Sequence, residues 1–155
     1  MYTRILMPLE NSGYDRAIID HVCALAKLCA AEVIVMHVAD GWAARNQHQL
    51  ALRESEEMRE DRLYVEGVCK ELCDAGVQSE CLLAGGDAGK EISDAAQREA
   101  CDLIAMAVHG HGFIQDVLRG SVSNEVKHRS KIPVLLVRGE RRSQARATGE
   151  PPSLA

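Results

Sequence analysis

Gly110, Gly120, Ser121 and Ser123 are the residues of this chain whose types and spacing best suit chemistry. The aliphatic run Asp102–Val108 opens into His109-Gly110-His111-Gly112. A nine-residue spacer after Gly110 then leads to Gly120-Ser121, where a helical stretch begins. Glycine lets an anion approach the backbone closely, because no Cβ stands in the way. The first N–H groups of a helix have no intrahelical partner, and with the helix dipole they favour negative charge. Ser121 and Ser123 add hydroxyl donors. The chemistry on offer is phosphate binding. A strand, a glycine turn and a capped helix also make an ordinary connection, and the residues alone leave both readings open.

A second glycine-rich stretch, Ala84-Gly85-Gly86-Asp87-Ala88-Gly89-Lys90-Glu91, looks like a degraded P-loop. Ala84 replaces the first glycine, and Glu91 stands where a Ser or Thr would hold magnesium. A carboxylate there repels phosphate, so the stretch reads as a strand-to-helix turn with Asp87 as the cap. Cys23, Cys29, Cys69, Cys73, Cys81 and Cys101 form no C-x-x-C pair and read as free thiols, mostly small core residues of a reducing compartment. No lysine matches a P-loop, no arginine is assignable as a finger, and no Ser/His/Asp set stands out. The catalytic set is therefore empty, and no metal ligands are assigned.

These residues need elements to hold them. Short β-branched runs alternate with stretches of helical period. Strands are predicted at Thr3–Leu9, Glu32–Val38, Val77–Leu83, Asp102–Val108 and Pro133–Val137. Between them, a helix begins near Ser12 and Asp15, with Ile18, Val22, Leu25, Ala26 and Cys29 on one face. A second spans Glu54–Ala75 and ends at Gly76, with Met58, Val65, Val68, Cys69, Leu72 and Cys73 inward. A third spans Asp87–Glu99, with Ala88, Ile92, Ala95 and Ala96 inward, and a short one Ser121–His128. The stretch Trp42–Leu52 reads as a loop or irregular helix start, and the charge run Glu54–Arg62 as a solvated face. Strict alternation predicts an α/β fold: a doubly wound, five-stranded parallel sheet with helices on both faces, Rossmann-like. Ligands of such sheets bind beyond the carboxyl ends of the strands, where the strand order reverses.

The bulk numbers agree with one domain. The chain has 155 residues, 46% hydrophobic and 26% charged, a globular composition. With 3% aromatic residues and a formal net charge of −5, it lacks both the stacking faces and the basic surface that nucleic acid requires. The apolar segment Ile5-Leu6-Met7 after Met1-Tyr2-Thr3-Arg4 is too short for export or membrane spanning. A cytoplasmic protein with no membrane partner is expected. From Gly139 onward, with Arg141, Arg142, Arg146 and Pro151-Pro152, the apolar period is lost, so residues 139–155 read as a flexible tail behind a domain of residues 1–138.

Over Tyr2–Arg138 the chain resembles the universal stress protein family. The segments that carry the likeness are RILMPLENS, VIVMHVAD, AGGDAGKEISDAAQREACDLIAMAVHGHG and LRGSVSNEVKHRSKIPVLLVR, in the family's order. The resemblance implies the adenine nucleotide alpha hydrolase-like version of the parallel fold. The family's nucleotide-binding branch carries glycine, two residues, glycine, nine residues, glycine, then Ser or Thr. Gly110, Gly120 and Ser121 match, and Ala107 replaces the first glycine. By this resemblance, phosphates lie on the backbone of Gly110, Gly120, Ser121 and Val122, helped by Ser123 and near His109. Adenine and ribose lie near Pro8, Leu9, Val38 and Met106. Glu10 stands where the family usually has an aspartate near ribose or metal.

Two departures bear on affinity. If position 107 requires a positive φ, alanine costs roughly 1 kcal/mol, about fivefold in affinity. Glu10 carries its oxygens ~1.5 Å further out than aspartate would. His37 matches a common family histidine and reads as a hydrogen-bonded structural residue, and His111 as solvent-facing. The resemblance implies a small stress-response regulator that binds ATP or a related adenine nucleotide, with Mg²⁺ accompanying it. It also implies a homodimer, for which the apolar edge Pro133–Val137 suits pairing. Two alternatives stand beside this: a homodimeric interaction module without nucleotide, recruiting an unidentified protein, and a slow ATPase or nucleotidyl or phosphoryl transferase.

Overall fold

The structure, a computed structural model, describes residues 1–39, 56–109 and 122–139. Nine elements alternate: β1 (Arg4–Leu9), α1 (Asp15–Cys29), β2 (Glu32–Ala39), α2 (Glu56–Asp74), β3 (Ser79–Gly85), α3 (Ala88–Arg98), β4 (Leu103–His109), α4 (Val122–Arg129) and β5 (Val134–Gly139). All strand pairs are parallel, in the order β3-β2-β1-β4-β5. The chain winds outward from β1 through β2 to β3, then crosses back to β4 and β5. The order therefore reverses between β1 and β4.

The strands are apolar on both faces because both are covered. Ile5, Met7, Leu9, Val33 and Val35 pack in one cluster with Ile18 and Val22 of α1 and Val65 and Leu72 of α2. Their neighbours Leu6, Ile34, Met36, Ile104 and Met106 point the other way, onto Ile92 and Ala96 of α3 and Val126 of α4. Each such buried side chain contributes about 1.5–3 kcal/mol of transfer free energy. At the amino ends of the strands, Asp102 accepts from Thr3 N (2.8 Å), Thr3 Oγ1 (2.7 Å) and Arg4 N (3.0 Å), which fastens the start of β4 to the start of β1.

Several boundaries differ from expectation. The third strand starts at Ser79, because Val77 N–H still bonds Leu72 O in the turn that closes α2, with Gly76 at φ +86° as expected. The fifth strand starts after Pro133, which has no N–H to give. It runs on to Gly139, which is buried. α1 has no side-chain cap at Tyr14. Instead Asp15 reaches back to Ser12 N (3.1 Å), while Ser12 Oγ accepts from Tyr14 N (3.3 Å). Asp87 caps α3 as expected, accepting from Lys90 N at 2.8 Å.

All six cysteines are free thiols. Only Cys69 and Cys101 are buried, and burial pushes their thiols up to about 12 and about 11. Cys73, expected inward, is exposed and contacts Ser79 Oγ at 3.2 Å. Trp42–Leu52 and the tail beyond Gly139 lie outside the described residues. Among the described residues no helix is long and apolar enough to cross a membrane.

Candidate functional site

Of the expected site residues, those on described strands fall at the carboxyl ends of β1, β2 and β4. Leu9 ends β1, with Pro8 before it and exposed Glu10 after it. Val38 lies one residue before the end of β2. Met106, Ala107 and His109 form the last part of β4. A helix joining parallel strands runs back against them, so α4 starts at this same end of the sheet. Its first two residues are Val122, which is exposed, and Ser123, which is buried. Gly110, Gly120 and Ser121 lie outside the described residues.

The sheet opens where these residues meet. The β1–β2 ladder runs from Arg4↔Glu32 to Leu9↔His37, and β4–β5 from Ile104↔Val134 to His109↔Gly139. The β1–β4 ladder pairs only Ile5 with Leu103 and Leu6 with Ile104. The pairing stops at Leu6 and Ile104, short of the ends of both strands, at the topological switch point where sheets of this kind hold their ligands in a crevice. Pro8 is half-buried on the β1 side. Val38 and Met106 belong to the α3–α4 cluster, whereas Ala107 packs with the α1–α2 cluster.

The condition raised at Ala107 is not met. The non-glycine residues with positive φ among those described are Asn11, Ala30 and Ala100. Ala107 is in a strand and paired with Val137, so its backbone requires no glycine. The roughly 1 kcal/mol strain considered from sequence does not arise.

A polar network behind the crevice was not anticipated. Asp15 is 2% exposed and Asp61 7% exposed, although Asp61 sits within the run read as solvated. Asp15 accepts from Glu10 N (3.2 Å), Ser12 N (3.1 Å) and Tyr64 Oη (2.6 Å). Burial pushes the Tyr64 phenol well up, and its hydrogen bond to Asp15 and that carboxylate's charge add to the rise, so Tyr64 stays a donor. Asp61 accepts from Asn11 Nδ2 (3.0 Å) through one oxygen. Its other oxygen faces His37 Nε2 at 3.2 Å. The His37 ring donates from Nδ1 to Leu9 O (2.8 Å), in line with the structural role expected of it. A signal for Asp61 existed: it falls four and seven residues before Val65 and Val68, on the buried stripe of α2.

The strand order, reversing between β1 and β4, defines a doubly wound α/β domain of the kind that binds ligands at its switch point. The model of the universal stress protein family matches residues 1–138, and the chain belongs to that family. A curated relative, universal stress protein MJ0577 of Methanocaldococcus jannaschii, is 31% identical over 89% of this chain and 96% of its own length. The solved MJ0577 structure superposes with a TM-score of 0.72, covering 92% of this chain and 99% of that one. Two more distant structures share the fold. A universal stress protein in complex with cAMP is 20% identical, with a TM-score of 0.68, covering 88% of this chain and 97% of that one. One from Archaeoglobus fulgidus in complex with dAMP is 19% identical, with a TM-score of 0.65, covering 88% of this chain and 98% of that one.

Proposed function

We propose that this chain is a regulatory protein that binds ATP or a related adenine nucleotide between β1 and β4. The observation that carries the reading is that the β1–β4 pairing stops at Leu6 and Ile104, at the switch point of the sheet, on the side where α4 begins; Gly120-Ser121 directly precede that helix in the sequence. The apolar residues Pro8, Leu9, Val38 and Met106 suit an adenine ring, and the N–H groups at Gly110, Gly120, Ser121 and Val122, with the Ser123 hydroxyl, suit phosphates. That family structures have been solved with cAMP and with dAMP supports an adenine nucleotide over other ligands. Among the described residues no group of three or more His, Cys, Asp or Glu is arranged to hold a metal ion. Mg²⁺ would therefore arrive on the phosphates rather than in a resident cage.

The reading places the protein in the cytoplasm, in a stress response, as a homodimer. β5 lies at the sheet edge and Leu136 is 38% exposed there, which supports pairing of two copies through that strand. Thermal-shift titration with MgATP, ADP, AMP and GTP, with mass analysis of co-purified ligand, tests the proposal. A saturable shift with an adenine nucleotide and none with GTP is the expected result. A flat response at millimolar ligand refutes it and leaves the nucleotide-free interaction module.

A further inference from the structure

The turn that forms the β1 wall of the crevice is held from behind by a helix remote in sequence. Asn11 sits at φ +58°, a left-handed conformation that asparagine tolerates better than other non-glycine residues, and its side chain is not spent on its own turn. Its side chain donates to Asp61, 50 positions away. Leu9, the last residue of β1, is tied to the same carboxylate through His37. Between them, Glu10 offers its N–H to Asp15, and Asp15 accepts the Tyr64 hydroxyl. Asp61 and Tyr64 lie three residues apart on one face of α2. Directly at Asn11, and through His37 and Asp15 at the others, two side chains of one helix thus bear on four consecutive residues, Leu9 to Ser12.

A connection that merely joins a strand to a helix needs none of this. Burying carboxylates is costly unless hydrogen bonds compensate, and here two nearly inaccessible acids serve one turn. Asp15 takes the N–H groups of Glu10 and Ser12 and Asp61 takes the side-chain amide of Asn11, while the Glu10 residue is exposed beyond the end of β1. We propose that Asp61 and Tyr64 are positioning residues of the nucleotide site, which hold Leu9–Ser12 in the conformation that presents the β1 wall to the ligand. This role rests on the nucleotide-binding reading above. Neither residue touches the ligand. Their part is to make the wall rigid before binding, so that ordering it costs nothing at the moment of association.

Calorimetric titration of MgATP into the full chain tests this, with Tyr64→Phe, Asp61→Ala and Asp61→Asn beside wild type. Melting curves without ligand and the amide NMR signals of Glu10 and Ser12 are recorded in parallel. Tyr64→Phe removes one hydrogen bond to a buried charge and is expected to weaken binding about tenfold, with the Glu10 and Ser12 amides displaced. Asp61→Ala is expected to weaken it at least as much. Asp61→Asn can still accept from Asn11 and can donate to His37 Nε2, so it is expected to restore most of what alanine loses. Variants that melt earlier yet bind within about twofold of wild type would mark a purely structural role and overturn the proposal. So would an Asp61→Asn protein as weak as Asp61→Ala. If Asp61→Ala does not fold, Tyr64→Phe and Asp61→Asn decide alone: the first binding as wild type, or the second as weakly as the first, overturns the role. A wild type without affinity for any adenine nucleotide overturns the proposed function and this role together, whereas a binding wild type with unaffected variants overturns this role alone.

Discussion

Replacing Gly139 with alanine distinguishes the end of a strand from the start of a tail. The pattern of the sequence places Gly139 in a polar tail, where a methyl group would meet only water. In the structure Gly139 is the last residue of β5, is buried, and pairs with His109. A Cβ built there stands 2.8 Å from Tyr14 O and 3.5 Å from Tyr14 Cβ. The nearer atom is backbone, so relief requires β5 or the entrance to α1 to move. Overpacking of this kind costs about 1–3 kcal/mol. Alanine also restricts the unfolded chain, which offsets about 0.4–1 kcal/mol. Gly139 lies outside the left-handed region, so no backbone strain is added. The net expectation is a loss of about 1–2 kcal/mol, or a melting temperature lower by roughly 3–6 °C for a chain of this length. Thermal melting by circular dichroism reads this directly. An unchanged or raised melting temperature would show that Gly139 belongs to the tail and that the close approach to Tyr14 is not part of the fold.

Other outcomes follow from single residues. Burial pushes Asp102 up, but hydrogen bonds from the Thr3 hydroxyl and from the Arg4 and Thr3 backbone outweigh it and hold the group below the usual carboxylate range. Its contribution is thus present above about pH 4 and lost as pH falls through the lowered value; Asp102→Asn should flatten that acid limb in melts taken at successive pH values. Ala30 and Ala100, at φ +54° and +53°, end α1 and α3 in a glycine conformation, and Ala30→Gly and Ala100→Gly should each stabilise by about 0.5–1 kcal/mol in urea unfolding. Ala107→Gly relieves no strain and removes a methyl packed on the α1–α2 cluster, so a lower urea midpoint is expected rather than a gain.

The element order was readable because the signal is periodic. Val33-Ile34-Val35-Met36 and the Ile92–Ala96 stripe carry patterns that burial on two faces and on one face impose. What the pattern hid had local causes. Alanine gives no hint that it will take a left-handed conformation, so the ends at Ala30 and Ala100 carry no mark of the kind Gly76 provides. Asp61 was hidden by its company, since a run of charges reads as solvated even when one member falls on the buried stripe. Asp15 was expected at a helix start, and it is the first residue of α1. Its third partner, Tyr64, lies 49 positions away, and no local spacing reports such a contact.

The departures from the glycine signature carry different weight once the backbone is known. A glycine at position 107 would matter for conformation only if φ were positive. The chain is extended there, paired with Val137, and its methyl faces the α1–α2 layer. Alanine therefore alters packing beneath the crevice and not the path of the strand. On the proposed function Glu10, which departs from the aspartate of the family pattern, is the weightier of the two, because it is exposed just beyond the carboxyl end of β1. How far that carboxylate reaches is set by its backbone, and that backbone is fixed through Asp15 and Asn11 by two residues of α2. On the proposed function, affinity for an adenine nucleotide should then respond to changes at Asp61 and Tyr64 more than to restoring glycine at 107, which titration of the variants beside wild type would read.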